Sequence, residues 1–237
     1  MTTITIIVCG GDSLTATAID YPYQAYGFTS VGDGGLPDVQ AACVYRNGNI
    51  LMKNMGITGT RLNTNGYPDL VPLAPVYIDP IVANKTTIST SGTTVAPLRK
   101  YIFSCFIGSN DGALGNFATA DLYAAAVASA CVARKTAGYD FAIVGTLLPR
   151  SDGIMTEPNR LLYNSTIKGV GWAAGHGIDG IFDMASDAIM GDPANLPLNN
   201  GGVTTWYSAD NVHPTQAGQA RLAPIWLATV NAIIATF

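Results

Sequence analysis

Charged side chains are scarce in this chain of 237 residues, where Asp, Glu, Lys and Arg together make up 12% of the sequence. The formal net charge is −4, and basic residues are adjacent only at Arg99-Lys100 and Arg134-Lys135. Proteins that bind nucleic acids or anionic membranes carry clusters of basic side chains, which this sequence lacks. We therefore predict no nucleic-acid partner and no membrane partner.

Long apolar segments are lacking too. No apolar run is long enough to cross a bilayer, and no basic region precedes an apolar stretch at the N-terminus, as it does in a signal peptide. The low charge nevertheless favours a location outside the cytoplasm. Such a location would require that a leader has been removed or that another export route is used.

The four cysteines and two histidines are too few and too scattered for a structural zinc site. Cys9, Cys43, Cys105 and Cys131 show no CxxC spacing, so we predict buried free thiols. Cys9 and Cys105 end two predicted strands, so the sequence leaves open whether these two cysteines form a disulfide. No metal and no other cofactor is predicted.

Short apolar runs rich in β-branched residues alternate with segments of helical character. The apolar runs predict buried strands at residues 4–9, 50–52, 101–107, 141–148 and 180–182. Helices are predicted at residues 37–47, 119–137, 158–167 and 215–234. This alternation is typical of βαβ units with helices on both faces of a parallel sheet. We predict a flavodoxin-like three-layer α/β sandwich whose five-stranded parallel sheet has the order 2-1-3-4-5.

The predicted helices carry apolar side chains at helical spacing. Leu122, Tyr123 and Val127 give the helix after the third strand an inner face, the next helix runs through Leu161, Leu162 and Ile167, and Leu222, Trp226 and Val230 recur at helical spacing in the last.

Residues 61–100 do not follow the alternation. Pro72, Pro75 and Pro80 interrupt an apolar stretch and exclude a regular helix or a central strand there. We predict an insertion or extended loop within a single domain that spans residues 1–237.

A glycine-rich turn, Gly10-Gly11-Asp12-Ser13-Leu14, follows the first predicted strand. Ligands bind at the carboxyl ends of the strands in open α/β sheets, so Ser13 stands where a nucleophile could be displayed. A Gly-Asp-Ser sequence is also common as a plain turn. Ser13 becomes a catalytic candidate only if other residues supply a base and an oxyanion site.

A serine nucleophile needs a general base, and the sequence offers only His176 and His213. His176 lies between two glycines, whereas His213 follows Asp210 by three residues, so one turn can bring a carboxylate to its ring. A carboxylate on one ring nitrogen fixes the tautomer and leaves the other nitrogen to accept the serine proton. The alternative is a solvated histidine before the last helix.

Donors for an oxyanion are available after the second and third predicted strands. Asn110 can offer its side-chain amide, and Gly59 and Ser13 can offer backbone N–H groups. Taken singly, each of these residues is also an ordinary turn or loop residue.

Four segments in this order resemble the SGNH hydrolases, also called the GDSL esterase and lipase family. They are Gly11-Asp12-Ser13-Leu14, residues 54–59, Gly108-Ser109-Asn110-Asp111 and residues 210–215. The resemblance implies Ser13 as nucleophile, His213 as base and Asp210 as the acid that orients it. It also implies an oxyanion hole from Ser13, Gly59 and Asn110, and a flavodoxin-like fold. Residues 61–100 depart from the family pattern, in which a helix is expected soon after the second strand.

The resemblance implies a metal-independent serine esterase that works through an acyl-enzyme. No apolar lid or membrane-surface helix is evident, so we predict a small acyl group such as acetyl. The aromatic residues near these motifs either stack on a sugar or aromatic substrate or pack under loops: Tyr21, Tyr23, Tyr26, Trp206 and Tyr207.

We predict O-deacetylation of a carbohydrate, with a small ester or acetylated saccharide as the substrate. A general short-chain or aryl esterase, or an acyltransferase, is the alternative with the same chemistry. A catalytically silent carbohydrate-binding module is the alternative of a different class.

Overall fold

The computed structural model describes residues 3–12, 14, 29–30, 44–47, 50–56, 61–62, 79, 82, 99–111, 117–153 and 155–237. Within these residues the elements follow in chain order as β1 (Ile4–Gly11), β2 (Thr29–Ser30), β3 (Val44–Asn47), β4 (Ile50–Asn54), β5 (Arg99–Phe106), α1 (Ala120–Ala137), β6 (Phe141–Gly145), α2 (Glu157–Ile167), α3 (Trp172–Gly175), β7 (Gly180–Phe182) and α4 (Gln216–Ile234). Two short 3₁₀ helices, Met184–Ser186 and Pro193–Asn195, lie between β7 and α4.

The strands form one sheet with the order β2-β3-β4-β1-β5-β6-β7. β1 pairs in parallel with β4 on one side and β5 on the other, and β6 and β7 continue the parallel part. β2 and β3 add an antiparallel edge beyond β4. The predicted α/β fold with a parallel sheet and helices is confirmed. In the described part of the chain, however, the sheet has seven strands, against a prediction of five, and is mixed.

The strand β3 corrects the prediction of a helix up to residue 47. Val44–Asn47 pairs antiparallel with β4, and Asn47 lies opposite Ile50. The two residues between them in the sequence are Gly48-Asn49, and a glycine in the first position is favoured in two-residue hairpin connections. Residues 37–43 of the predicted helix lie outside the described residues.

Helices cover both faces of the sheet. Side chains alternate between the two faces along each strand, so each strand contributes apolar side chains to both packed layers. On one face, Val8 and Phe103 are buried with Val127 of α1 and Tyr163 of α2. On the other face, the cluster includes Ile7, Ile143, Trp226 and Val230, of which the last two belong to α4. The indole N–H of Trp226 also donates to Ser104 Oγ across 2.9 Å.

The helix α1 begins and ends where its sequence predicts. The Thr119 hydroxyl oxygen accepts the Leu122 N–H at 3.2 Å, and Gly138 ends the helix with a φ of 123°. The predicted inward orientation of Leu122 is wrong, since this side chain is 54% exposed.

The inner face of α2 includes polar side chains. Leu161 and Leu162 are exposed, whereas Arg160 and Asn164 are buried. Arg160 donates to the Leu147 carbonyl at 3.0 Å, and the Asn164 amide bonds both the N–H and the carbonyl of Leu147. These polar side chains face inward because the backbone beyond β6 needs hydrogen-bond partners where the sheet ladder has ended.

The described cysteines are buried free thiols, as predicted: Cys9, Cys105 and Cys131. Cys9 packs in the cluster under α4, whereas Cys105 and Cys131 pack in the cluster under α1 and α2. A disulfide between Cys9 and Cys105 is therefore ruled out, because the two thiols lie on opposite faces of the sheet. Cys43 lies outside the described residues.

Parts of the predicted insertion at residues 61–100 pack on the α1 face. Leu62 and Val82 are buried in the same cluster as Val127. Asp79 lies 2.9 Å from the Arg134 guanidinium near the end of α1. Residues 63–78, 80–81 and 83–98 lie outside the described residues.

Candidate active site

Polar residues collect at the carboxyl edge of the sheet, where ligands bind in this class of fold. Asp12 directly follows β1, the turn at residues 108–111 follows β5, and Arg150 lies beyond β6. The turn at residues 210–213 reaches the same edge, because the Ser151 N–H donates to the Asn211 carbonyl at 3.1 Å. The fold thus brings together segments that are far apart in the sequence.

His213 and Asp210 form a hydrogen-bonded pair. His213 Nδ1 lies 2.6 Å from Asp210 Oδ2, and Asp210 Oδ1 accepts the backbone N–H groups of Val212 and His213 at 3.0 Å each. Partial burial alone would raise the pKa of Asp210. The hydrogen bonds from the His213 ring and from the two N–H groups outweigh it and hold the pKa below its usual value. The Asp210 carboxylate thus favours the tautomer with the proton on Nδ1.

The backbone around this pair is also held in place. Asn211 adopts a left-handed φ of 60°, and its Oδ1 accepts the Leu198 N–H at 2.6 Å. The Ser208 N–H donates to the His213 carbonyl at 2.8 Å. The loop before α4 therefore fixes the His213 ring through its backbone as well as through Asp210.

The turn after β5 carries the predicted oxyanion donor. Gly108 has a φ of 116°, Ser109 is buried, and Asn110 is half-buried beside the Arg150 guanidinium. Asp111 is fully buried, and its two oxygens accept the Leu62 N–H at 3.0 and 2.9 Å. The turn thus presents Asn110 while Asp111 ties it to the chain beyond β4.

Asp12 is a buried carboxyl group next to Ser13 in the sequence. Its Oδ1 accepts the Leu14 N–H at 2.9 Å, and Oδ2 has no hydrogen-bond partner among the described residues. Burial raises its pKa to about 7, although the Leu14 hydrogen bond and the charges of Arg150 and His213 act to lower it. Asp12 therefore shares one electrostatic environment with Asp111, Arg150 and His213.

The structure describes only part of the predicted site. It places Asp210, His213 and Asn110 at one edge of the sheet. Five of the other predicted residues lie outside the described residues: Ser13, Gly59, Tyr21, Tyr23 and Tyr26. His176, the second histidine, caps α3 and packs against Trp172 with ring centroids 5.0 Å apart.

The two described aromatic candidates differ. Trp206 is half-buried, and the Arg221 guanidinium lies 5.8 Å from its ring centroid. Tyr207 is fully buried among Met190, Leu196 and Leu222, and its hydroxyl donates to the Met190 carbonyl. The prediction that Tyr207 contacts substrate is therefore wrong, because its ring and its hydroxyl are already occupied within the core.

Arg150 is the residue of this edge that the sequence motifs did not single out. Its side chain is 5% exposed, pairs with Asp152, and donates to the Ser109 carbonyl and hydroxyl at 2.8 Å each. The available signal was its position, since it is a rare charged residue directly after a predicted buried strand.

In the described ranges, no group of three or more His, Cys, Asp or Glu side chains is arranged to hold a metal ion. Within the same ranges, no helix combines the length and apolarity needed to cross a membrane.

The fold and this edge together define an α/β protein whose polar turns meet at the carboxyl ends of parallel strands. No protein-family model matches the chain, and no curated protein matches it either. Solved structures do match it over nearly its whole length.

One solved structure that matches is a lipase/acylhydrolase from Enterococcus faecalis, with 16% identity, a TM-score of 0.58 and coverage of 97% of this chain and 96% of that one. A lipolytic protein of the G-D-S-L family from Veillonella parvula matches with 17% identity, a TM-score of 0.54 and coverage of 94% and 97%. An acetylxylan esterase from Geobacillus stearothermophilus matches with 19% identity, a TM-score of 0.52 and coverage of 97% and 95%. The chain therefore has the fold of lipolytic G-D-S-L proteins and acetylxylan esterases.

Proposed function

We propose that the chain is a serine ester hydrolase of the SGNH type, with Ser13 as nucleophile, His213 as general base and Asp210 as the orienting acid. The observation that carries the proposal is the 2.6 Å contact between His213 Nδ1 and Asp210 Oδ2 at the carboxyl edge of the sheet. This arrangement prepares Nε2 to accept a proton from a serine. Asp12, adjacent to Ser13 in the sequence, is close enough to His213 for its pKa to respond to that residue.

In this mechanism, His213 Nε2 accepts the Ser13 hydroxyl proton while Oγ attacks the ester carbonyl. The alcohol leaves with that proton, and the acyl group stays on Ser13 as an ester. Water then gives a proton to His213 while its oxygen attacks the acyl-enzyme. His213 returns this proton to Ser13 Oγ as the bond to the acyl group breaks, and the acid is released. Asp210 stabilises the imidazolium in both steps.

The oxyanion of each tetrahedral intermediate is stabilised by the Asn110 amide and by the backbone N–H groups of Ser13 and Gly59. Such donors act mainly in the transition state, where charge builds up on the carbonyl oxygen. Removing one of them costs about 10²–10³ in turnover, or about 3–4 kcal/mol. Asn110→Ala is accordingly expected to lower kcat by that factor.

The comparisons support this chemistry and favour a substrate class. The neighbours with this fold include acetylxylan and acetyl-xylooligosaccharide esterases. Catalytic mutants of that acetylxylan esterase replace a serine near its N-terminus, an aspartate, and a histidine three residues beyond that aspartate. The spacing equals that of Asp210 and His213. We infer that this chain removes acetyl groups from a saccharide, with Trp206 as the described aromatic candidate for a sugar contact.

The decisive experiment is labelling with a fluorophosphonate probe. The folded wild-type chain is expected to label at one serine and to hydrolyse p-nitrophenyl acetate, whereas Ser13→Ala does neither. A folded wild-type chain without label would contradict the proposal and favour a silent binding module.

A second experiment tests the substrate class. Acetylated xylo-oligosaccharides and p-nitrophenyl esters of increasing chain length are compared by kcat/KM, with and without an added acceptor alcohol. Acetylated sugars are expected to react fastest. Faster reaction of long acyl chains would contradict the acetyl assignment, and ester formation with the alcohol would identify an acyltransferase.

A further inference from the structure

Arg150 is a buried cation at the edge of the sheet. Its side chain is only 5% exposed, and burial of an unpaired charge is costly. Asp152 provides the pairing: Arg150 Nε donates to Oδ1 at 2.8 Å, and Nη2 donates to Oδ2. Two of the three guanidinium nitrogens are therefore used for charge pairing, which fixes the plane of the group.

The third nitrogen, Nη1, points at the turn after β5. It donates to the carbonyl and the hydroxyl of Ser109 at 2.8 Å each, and it lies 3.5 Å from Asn110 Oδ1. A guanidinium has donors only, so the amide atom that faces it is the oxygen. The Asn110 Nδ2, which is the donor, is thereby turned to the side away from Arg150.

The same short segment reaches the turn that holds the proposed base. The Ser151 N–H donates to the Asn211 carbonyl at 3.1 Å, and Asn211 lies between Asp210 and His213. Residues 150–152 thus contact the Asn110 turn through a side chain and the His213 turn through the backbone.

We propose that Arg150 is a positioning residue that fixes the Asn110 amide with its N–H groups toward the reacting carbonyl oxygen. The inference rests on the proposed function, because it assigns a role to Arg150 only through Asn110. Without Arg150 the amide oxygen loses the donor group that faces it, and a rotated amide presents its oxygen to the developing negative charge. The loss therefore falls on the transition state and appears in kcat, with KM nearly unchanged.

The test is a double-mutant cycle between Arg150→Met and Asn110→Ala with p-nitrophenyl acetate. Arg150→Met alone is expected to lower kcat about ten- to a hundredfold, as the loss of a positioning contact does. In the Asn110→Ala background, the same substitution is expected to lower kcat by less than about threefold, because residues that act as a unit are not additive. Thermal unfolding of all four proteins is measured in parallel.

Arg134→Met is the matched control. Arg134 is also buried, with 7% of its side chain exposed, and also pairs with an aspartate, but it lies near the end of α1. Arg134→Met is expected to reduce the thermal midpoint. Its effect on kcat is expected to be the same with Asn110 and with Ala at position 110. If Arg150→Met does not fold, Arg150→Lys replaces it in the double-mutant cycle. Lysine keeps the positive charge but lacks the planar guanidinium with its paired N–H donors.

Equal fold-losses from the Arg150 substitution in both backgrounds would overturn the inference while leaving the esterase intact. A wild-type chain that neither labels with fluorophosphonate nor hydrolyses the ester would overturn the proposed function itself. The two failures are therefore distinguishable in one set of proteins.

Discussion

At the residue scale, Asp210 uses its two oxygens for different purposes. Oδ1 holds two backbone N–H groups of its own turn, and Oδ2 holds the His213 ring. Asp210→Asn keeps the shape, but an NH₂ group in the Oδ2 position cannot accept Nδ1–H, so the ring is expected to adopt the wrong tautomer. We predict a fall in kcat of about 10³–10⁴-fold with an almost unchanged thermal midpoint.

The control for this prediction is Asp192→Asn. Asp192 Oδ1 likewise accepts a backbone N–H, from Ala194 at 2.9 Å, and asparagine serves equally well in that role. This variant is expected to keep full activity. Comparable activity losses in the two variants, or full activity in Asp210→Asn, would remove Asp210 from the mechanism.

The contrast between Asp210 and Arg150 shows which site residues a sequence reveals. Asp210 and His213 are three residues apart, so a single turn joins them whatever the rest of the chain does. Arg150 contacts Ser109, which is 41 residues away in the sequence, and the burial of Arg150 depends on how β5 and β6 pack. Tyr207 shows the opposite error, because an aromatic residue beside a motif is indistinguishable in sequence from one that fills the core.

At the element scale, the five parallel strands could be predicted from their apolar β-branched runs, while the antiparallel edge could not. By sequence alone, the residues before Gly48 suit either a helix or a strand. Val44–Asn47 is a strand because it pairs with β4. The inner face of α2 was missed for a related reason. Apolar periodicity identifies helix faces that meet apolar surface, but α2 meets the backbone of Leu147 beyond the end of β6 and forms hydrogen bonds to it.

Gly108 is the element-scale position most sensitive to substitution. Its φ is 116°, and a Cβ there would lie 2.4 Å from the Tyr123 ring. Tyr123 is fully buried, stacks on Tyr163 and donates to the Ile107 carbonyl, so its ring has little room to move. We predict that Gly108→Ala lowers both the thermal midpoint and kcat, because the displaced turn carries Asn110.

Gly138→Ala is the matched control for Gly108→Ala. Its φ of 123° is nearly the same, but a Cβ there would make only an ordinary contact of 3.6 Å with Val82. Gly108→Ala is expected to lower the free energy of unfolding by about 1–3 kcal/mol more than Gly138→Ala does. The difference corresponds to the overpacking of the new Cβ against Tyr123. Equal losses in chemical denaturation would show that the backbone conformation, and not Tyr123, limits the site.

At the scale of the whole molecule, the fold is shared with proteins that are only 16–19% identical to it while 94–97% of the chain is covered. Such a fold tolerates wide substitution, because its strands require only apolar side chains of suitable volume. The four segments that resemble SGNH hydrolases are short, so that resemblance can stand beside low identity over the rest of the chain.

The pH dependence of stability depends on Asp12. The pKa of this carboxyl is raised from 3.8 to about 7 in the folded chain, chiefly by burial. Below pH 3.8 it is protonated in both states, and between these values only the folded state keeps the proton. The unfolded state then binds fewer protons, so stability falls as the pH rises through this window. The stabilising contribution of the Asp12 carboxyl is fully present below pH 3.8 and is lost above about pH 7.

We therefore predict that the wild-type chain loses more unfolding free energy between pH 4 and pH 8 than Asp12→Asn does. The difference is on the order of 4 kcal/mol for a shift of this size. Asparagine cannot ionise, and its amide oxygen can still accept the Leu14 N–H that Asp12 binds. Urea denaturation at several pH values measures the difference, with Asp192→Asn as a surface control that should follow the wild type. Parallel curves for the wild type and Asp12→Asn would show that the Asp12 carboxylate is stabilised within the fold, and that the buried edge next to Ser13 accommodates a full negative charge at neutral pH.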